Sequence, residues 1–555
     1  MSVTSLTITH DQLQRGIAML GQFVSIPTVS NTGSPHYSKE SLRAGAAFLA
    51  GQLERIGCVV EQIVVNESAP YVYAECITDP NLPTLTFYSH YDVQPVDLKH
   101  WTTDPFVITE RDGRLYGRGA SDDKSGIVAI IMALIAYREA NLKLPINVKL
   151  IFEGEEEFGS TNMAAFVKQE KRLQSAALIV MDGFNRSITE ASLLGSVRGI
   201  ANISLRVDSV AKPIQGDDVK FSVRLDALAK PVHSGIGLLL PDPGSAISTV
   251  VKSLESDVRV DSIHCGVLNG GNSIQAGATV TLGVADEAVK QKVIDCLKKL
   301  EVGYGLPLTI EPPSLEGRVA EPVAINIDLT DAIRHTCALV HSLRNPRGIP
   351  GFLDGFTPAT SVERELLSKT SQTAESYASE NGVVKGARLR GDPNESIYER
   401  ILGEPNISIV NINSDKEGVT ANISIRVLPG QDPKHVGAKV IEYLESQGGK
   451  LSMTVKMTEE GSFAWKADVG RFTKLYLEAL GENLEKAGLL PCGGALPLLQ
   501  LFQKAFPGME MIVPGVEDPA TAAHSHDESQ DIGLLVNATN SLISFMQKAG
   551  AAKVE

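Results

Sequence analysis

The sequence predicts an α/β domain, a sheet with helices on both faces and its chemistry at the strand ends. Two observations lead there. Short apolar runs of strand length are interleaved with segments whose apolar residues recur at helical spacing. Several of the runs also stop abruptly at a histidine or an acid, and open α/β sheets bind ligands at that end of their strands. With 555 residues, the chain exceeds what one hydrophobic core usually supports, so two or more domains are expected.

Leu13, Ile17, Leu20 and Val24 fall on one helical face, and a second helix from about Glu40 stops at Gly57, whose lack of a Cβ suits a C-cap. Residues 59–65 and 71–77 read as strands. Residues 85–89 form a buried strand that runs into His90 and Asp92 before Pro95 turns the chain away. In H-x-D the two side chains share one side of an extended backbone, so Asp92 can orient a metal-bound His90. The plainer alternative is a satisfied histidine at a strand end.

In R-L-Y-G-R-G-A-S-D-D-K-S-G, from Arg114, Gly117 and Gly119 permit tight turns before Asp122 and Asp123. A helix over 124–138 starts directly behind them, where its dipole favours carboxylates. An acidic N-cap explains Asp122 equally well. The strand at 146–152 enters E-G-E-E-E-F-G-S, which crowds Glu153, Glu155, Glu156 and Glu157 into five positions. Adjacent carboxylates are stabilised by a dication. Residues 177–181 lead to Asp182, and 510–513 lead to A-A-H-S-H-D-E with His524. Five strands thus end at His90, Asp122, Glu157, Asp182 and His524, and the recurrence points to a mixed nitrogen and oxygen metal site.

Composition narrows the function. The net charge of −15 argues against nucleic acid or an anionic membrane as main partner, while leaving room for a local cationic pocket. The six cysteines are scattered without C-x-x-C spacing, which fits reduced thiols and a cytoplasmic, soluble protein. No signal-peptide pattern opens the chain. The most apolar helical stretch, 126–136, is too short to span a bilayer.

S-H-Y-D-V-Q-P-V, G-R-G-A-S-D-D-K, E-G-E-E-E-F-G-S, M-D-G-F and A-H-S-H-D-E, in this order, resemble the M20 family of metallopeptidases, in the dipeptidase branch that includes carnosinases and PepV-type enzymes. The resemblance implies a pair of co-catalytic metal ions, with His90 and Asp182 on one, Glu157 and His524 on the other, and Asp122 bridging. It assigns Asp92 to orienting His90 and Glu156 to the general base. It also implies a cis peptide between Asp122 and Asp123. Two dications sharing a hydroxide can polarise the scissile carbonyl while a glutamate carries the proton. Ligands drawn from His, Asp and Glu suit zinc, with manganese or cobalt also compatible.

The resemblance further implies an α+β lid over 198–461, interrupting a catalytic domain made of 1–197 and 462–555. In K-P-V-H-S-G, His233 matches the residue that polarises the substrate carbonyl. In I-S-I-R-V-L-P-G, Arg426 matches the arginine that pairs with the substrate's terminal carboxylate, a task suited to a guanidinium fork. The lid reads as an internal duplication. S-L-R-V-D-S-V-A-K-P from Ser204 recurs as S-V-R-L-D-A-L-A-K-P from Ser222, and A-T-V-T-L-G-V from Ala278 parallels A-N-I-S-I-R-V from Ala421, each of the latter pair followed by a helix and a strand. Gln215 and Gly283 stand at the places of His233 and Arg426. A doubled lid implies a monomer, with an ordinary homodimer as the alternative.

One loop departs from the family pattern. Where relatives carry R-E-G-G-S-I-P, this chain has P-C-G-G-A-L-P from Pro491 to Pro497, which puts substrate preference in question. The function expected is hydrolysis of dipeptides with a free carboxylate, with N-acyl amino acid deacylation as the second reading. A catalytically silent, metal-stabilised binding protein is a third, opposed by the presence of Glu156, which a purely structural metal site does not need.

Overall fold

The computed structural model describes residues 6–210, 219–229, 232–233, 238–266, 273–304, 308–311, 328–369, 372–385 and 387–552. The chain opens with the amphipathic helix His10–Val24, capped by a reciprocal Thr9–Gln12 box, and the helix Lys39–Arg55. Gly57 follows at φ +91°, the left-handed geometry that a glycine adopts without steric cost. Strands β1 (Val59–Ile63), β2 (Tyr71–Cys76), β3 (Thr84–His90), β4 (Asn147–Glu153) and β5 (Ala177–Val180) then build the first sheet.

The second layer of structure begins at β6 (Gly199–Asp208) and continues with β7 (Val219–Asp226), β8 (Arg259–Cys265), β9 (Gly277–Val284), β10 (Leu308–Glu311), β11 (Asn406–Asp415), β12 (Gly418–Val427) and β13 (Met453–Met457). These eight strands form one sheet in the order β10-β7-β9-β8-β11-β12-β6-β13. The chain then returns with β14 (Glu510–Ile512), giving the first sheet the order β1-β2-β4-β3-β5-β14. The architecture is an α/β catalytic unit and an α+β lid.

Strands β4, β3, β5 and β14 run parallel, so their C-terminal ends open on one edge. Beneath them lies the helix Lys124–Glu139, buried over nearly its whole circumference. It is apolar all round because it packs against both the His10–Val24 and Ile532–Ala551 helices. No helix among the described residues is long and apolar enough to cross a membrane.

Two expectations need correction. Cys58 and Cys76 are joined by a disulfide, whereas Cys265, Cys296, Cys337 and Cys492 are free. The antiparallel register pairs Val59 with Glu75, which sets Cys58 opposite Cys76. Only this pairing, invisible in the spacing, brings the two thiols together, and the cysteine pattern therefore gives no support for a reducing compartment. The second correction concerns the strand ends. His90, Asp182 and the glutamates do follow strands of the parallel sheet. Asp122 instead arrives from a separate three-stranded sheet through Arg114–Tyr116, and His524 lies seven residues beyond the short strand Gly515–Glu517.

Candidate metal centre

Five side chains from five chain segments converge at the edge of the parallel sheet. The Asp122 carboxylate is at the centre. Its Oδ1 lies 2.9 Å from His90 Nε2 and its Oδ2 2.9 Å from His524 Nε2. His90 Nε2 is 4.0 Å from Asp182, and His524 Nε2 is 3.1 Å from Glu157. Two ligand groups result, His90, Asp122 and Asp182 on one side and Asp122, Glu157 and His524 on the other, with the donor atoms of each group within 4.8 Å of one another. Asp122 belongs to both.

The peptide between Asp122 and Asp123 is cis. Asp123 is the residue at the N-cap position of the Lys124–Glu139 helix, although its side chain makes no capping bond. It instead accepts hydrogen bonds from the Ser89 hydroxyl and, at 3.4 Å, from the His90 N–H. His524 adopts φ +61°, a left-handed conformation that is uncommon outside glycine and concentrates at functional positions.

Asp92 is fully buried and serves as a hub. Its two carboxylate oxygens accept the N–H groups of Glu156 at 3.1 Å and Glu157 at 3.0 Å. The His90 ring nitrogen Nδ1 lies 3.1 Å from the Asp92 carbonyl oxygen and 3.5 Å from its carboxylate. The ring is thus oriented chiefly by the backbone of Asp92, while the carboxylate holds the glutamate turn. The expected same-side arrangement is present with its tasks divided between two groups of one residue.

The four glutamates of the acidic stretch separate by partner. Glu153 is buried in the core and accepts from the Tyr88 hydroxyl at 2.6 Å, and burial pushes its carboxyl up to about 8. Glu155 accepts from Ala69 N–H and from the Asn162 amide, both at 2.8 Å. Glu157 accepts from Gln94 at 2.8 Å and faces His524. Only the Glu156 carboxylate has no hydrogen bond to a described residue.

Electrostatics point to the same chemistry. Burial and neighbouring carboxylates push the Asp182, Glu156 and Glu157 carboxyls up, Glu156 to about 7, with the imidazoles opposing. Burial would raise Asp122 as well, but hydrogen bonds from His524 and His90 outweigh it and hold that carboxyl low. Both imidazoles are held above their usual range by the same acids, against burial. More carboxylates than cationic groups share one pocket edge, the situation that dications relieve. The donor set fits divalent metal ions bound through imidazole nitrogen and carboxylate oxygen.

Sequence reading missed Glu528. Fully buried, it accepts backbone N–H groups from Gly119 at 3.1 Å, Ser121 at 3.0 Å and Asp122 at 3.1 Å, and pairs with Arg118 at 2.6 Å. Four residues after His524, it ties one ligand segment to the other. Its place in A-H-S-H-D-E was the available signal, but its partners lie more than four hundred residues away.

Neither lid residue is a member of the two ligand groups. His233 is the second residue of a two-residue strand paired with Ser273–Ile274, and its side chain lies outside the described residues, as does Gln215. Arg426 is on β12, 1% exposed, with its pKa lowered to about 10 by burial. The Cys492 thiol, raised by burial, feels the charges of both Arg426 and Asp182.

Comparison with known proteins identifies the family. A 166-residue stretch, 28% of this chain and 32% of the relative, is 39% identical to Beta-Ala-His dipeptidase from Homo sapiens, so that match spans about a third of the relative's length. The mouse protein of the same name aligns over 92% of this chain and 88% of its own, at 26% identity. The solved structure of aminoacylhistidine dipeptidase from Vibrio alginolyticus shares the fold, with a TM-score of 0.67, 15% identity and 98% of each chain covered. The model of peptidase family M20/M25/M40 matches residues 86–548, and the chain belongs to that family.

Proposed function

We propose that this protein is a two-metal dipeptidase that hydrolyses the amide bond of dipeptides with a free C-terminal carboxylate. The observation that carries the reading is one carboxylate, Asp122, shared by two ligand groups beside Glu156, whose carboxylate has no hydrogen bond to a described residue. His90 and Asp182 would hold one ion, Glu157 and His524 the other, and Asp122 both. Zinc is the metal that the donor set favours, with manganese and cobalt as alternatives. When bound, such a pair lowers the pKa of an attacking water and polarises the scissile carbonyl.

The chain's own groups do the rest. Glu156 takes the proton from the attacking water and delivers it to the leaving amine, a task that suits a carboxylate with no hydrogen bond to a described residue. Asp92 keeps His90, Glu156 and Glu157 in register. His233 polarises the substrate carbonyl, and Arg426 pairs with the terminal carboxylate. Residues 1–197 with 462–555 constitute the catalytic domain and 198–461 the lid.

The names of the relatives favour dipeptides over N-acyl amino acids, the second reading with the same chemistry. A panel of dipeptides and N-acyl amino acids assayed with zinc, manganese and cobalt separates the two. Turnover of dipeptides is expected, and turnover of N-acyl substrates alone would overturn the assignment.

A further inference from the structure

The lid holds a cavity whose lining shares no residue with the metal centre or with Arg426 and His233. It encloses about 320 Å³, and its charged lining consists of Arg344, Arg347, Arg388 and Arg390 with Asp242 and Glu404. Four guanidinium groups against two carboxylates leave an excess of two positive charges, in a chain whose net charge is −15. Concave walls of low dielectric concentrate such a field.

The two acids hold fixed contacts, and each also offsets one lining arginine, Asp242 facing Arg390 and Glu404 facing Arg347. Asp242 caps the Pro243–Ser253 helix by accepting from Ser245 N–H at 3.2 Å, and it also accepts from Ile409 N–H at 2.7 Å. Glu404 pairs with Arg347 at 2.7 Å. Two of the arginines donate to neutral oxygens, which orient a guanidinium at the cavity wall. Arg390 donates to the Ser408 hydroxyl at 3.1 Å and to the Ile407 carbonyl at 2.6 Å, and Arg344 donates to the Thr249 hydroxyl at 2.7 Å. Burial lowers the Arg390 pKa and the Arg344 charge adds to that, with Asp242 opposing. Arg388 is exposed and forms no ion pair among the described residues.

Guanidinium forks held at a cavity wall match the paired oxygens of phosphates and carboxylates. We propose that this lid cavity binds a compact dianion, carried either by a phosphate group or by a pair of carboxylates, independently of the metal centre. The catalytic reading is not needed for this conclusion. Nothing in the dipeptide reaction requires a cationic pocket here, so the site is a candidate for an effector.

Isothermal titration of the metal-loaded protein with inorganic phosphate and, separately, with succinate tests the proposal and distinguishes the two carriers. Binding of at least one is expected, weakened at least tenfold in R344Q/R388Q and at least threefold in R388Q alone. Arg388 is exposed, so R388Q keeps the test valid if the double variant does not fold. Dipeptide turnover in the absence of either anion should be unchanged in R388Q. Absence of binding by both anions, or binding that survives in R388Q and in a folded R344Q/R388Q, would overturn the proposal, the latter by placing the anion on the metal ions.

Discussion

Glu156 and Glu157 are adjacent in sequence, yet their N–H groups bond to different oxygens of one Asp92 carboxylate and their side chains meet different partners. Glu157 is held by Gln94 and His524, whereas the Glu156 carboxylate has no hydrogen bond to a described residue, which suits the proposed proton carrier. Glu156→Gln should therefore lower turnover by at least ~10²-fold, the scale of a lost general base, while elemental analysis still finds two metal ions per chain. A fall in metal content alongside activity would make Glu156 a ligand. Glu528 yields a complementary expectation. Its Oε1 accepts from Ser121 and Asp122, and its Oε2 from Gly119 and Arg118, so in Glu528→Gln an amide donor must face donors in a buried site. Leaving buried donors unmet costs about 1–3 kcal/mol each. Urea unfolding should show a loss of at least about 2 kcal/mol, and metal affinity should fall because the Asp122 loop loses its clamp. Unchanged stability and metal content together would show that the clamp does not position Asp122.

At the scale of elements, what was legible followed from local pattern. The strand ending at His90, the strand before Asp182 and the helix behind Asp123 are where periodicity put them, because each buries a face set by nearby residues. The routes by which Asp122 and His524 reach the site were not legible, since they depend on small sheets pairing segments far apart in the chain. One such pairing is tight. Gly515–Glu517 lies alongside Gly183–Phe184, directly after Asp182, and a Cβ at Gly515 would stand 1.4 Å from the Gly183 carbonyl oxygen. Backbone cannot yield as a side chain can. Gly515→Ala should force the two strands apart, displace Asp182 from His90 and reduce bound metal, with the melting temperature lowered in the same protein. Full metal occupancy with wild-type melting would show that the pairing does not position Asp182.

The whole molecule poses the question of how many chains make one site. The lid sheet runs β10-β7-β9-β8-β11-β12-β6-β13. Read from its two ends inward, β10 and β13 are the edges, β7 and β6 come next, then β9 and β12, with β8 and β11 meeting at the centre. The sequence repeats fall on matching places in this order, Ser204 in β6 against Ser222 in β7 and Ala278 in β9 against Ala421 in β12, and the helices Glu287–Tyr304 and Pro433–Ser446 follow the matching strands. We infer that the lid is two diverged copies of one unit, a reading that the short local similarity suggests and the strand order supports. If so, each chain carries both lid halves within itself. Gly283 in β9 occupies the place that Arg426 holds in β12, so one copy keeps the arginine, and one active site needs one. The protein should then sediment as a monomer, and each chain should work alone. Mixing His233→Ala protein with Glu156→Gln protein provides the decisive measurement, because in a dimer that exchanges His233 one mixed site in each heterodimer would regain both residues. No recovery of activity is expected on mixing. Recovery toward a quarter of the wild-type rate, roughly what random pairing of subunits would give, would show that His233 acts across a subunit boundary and that the doubled lid does not replace a partner.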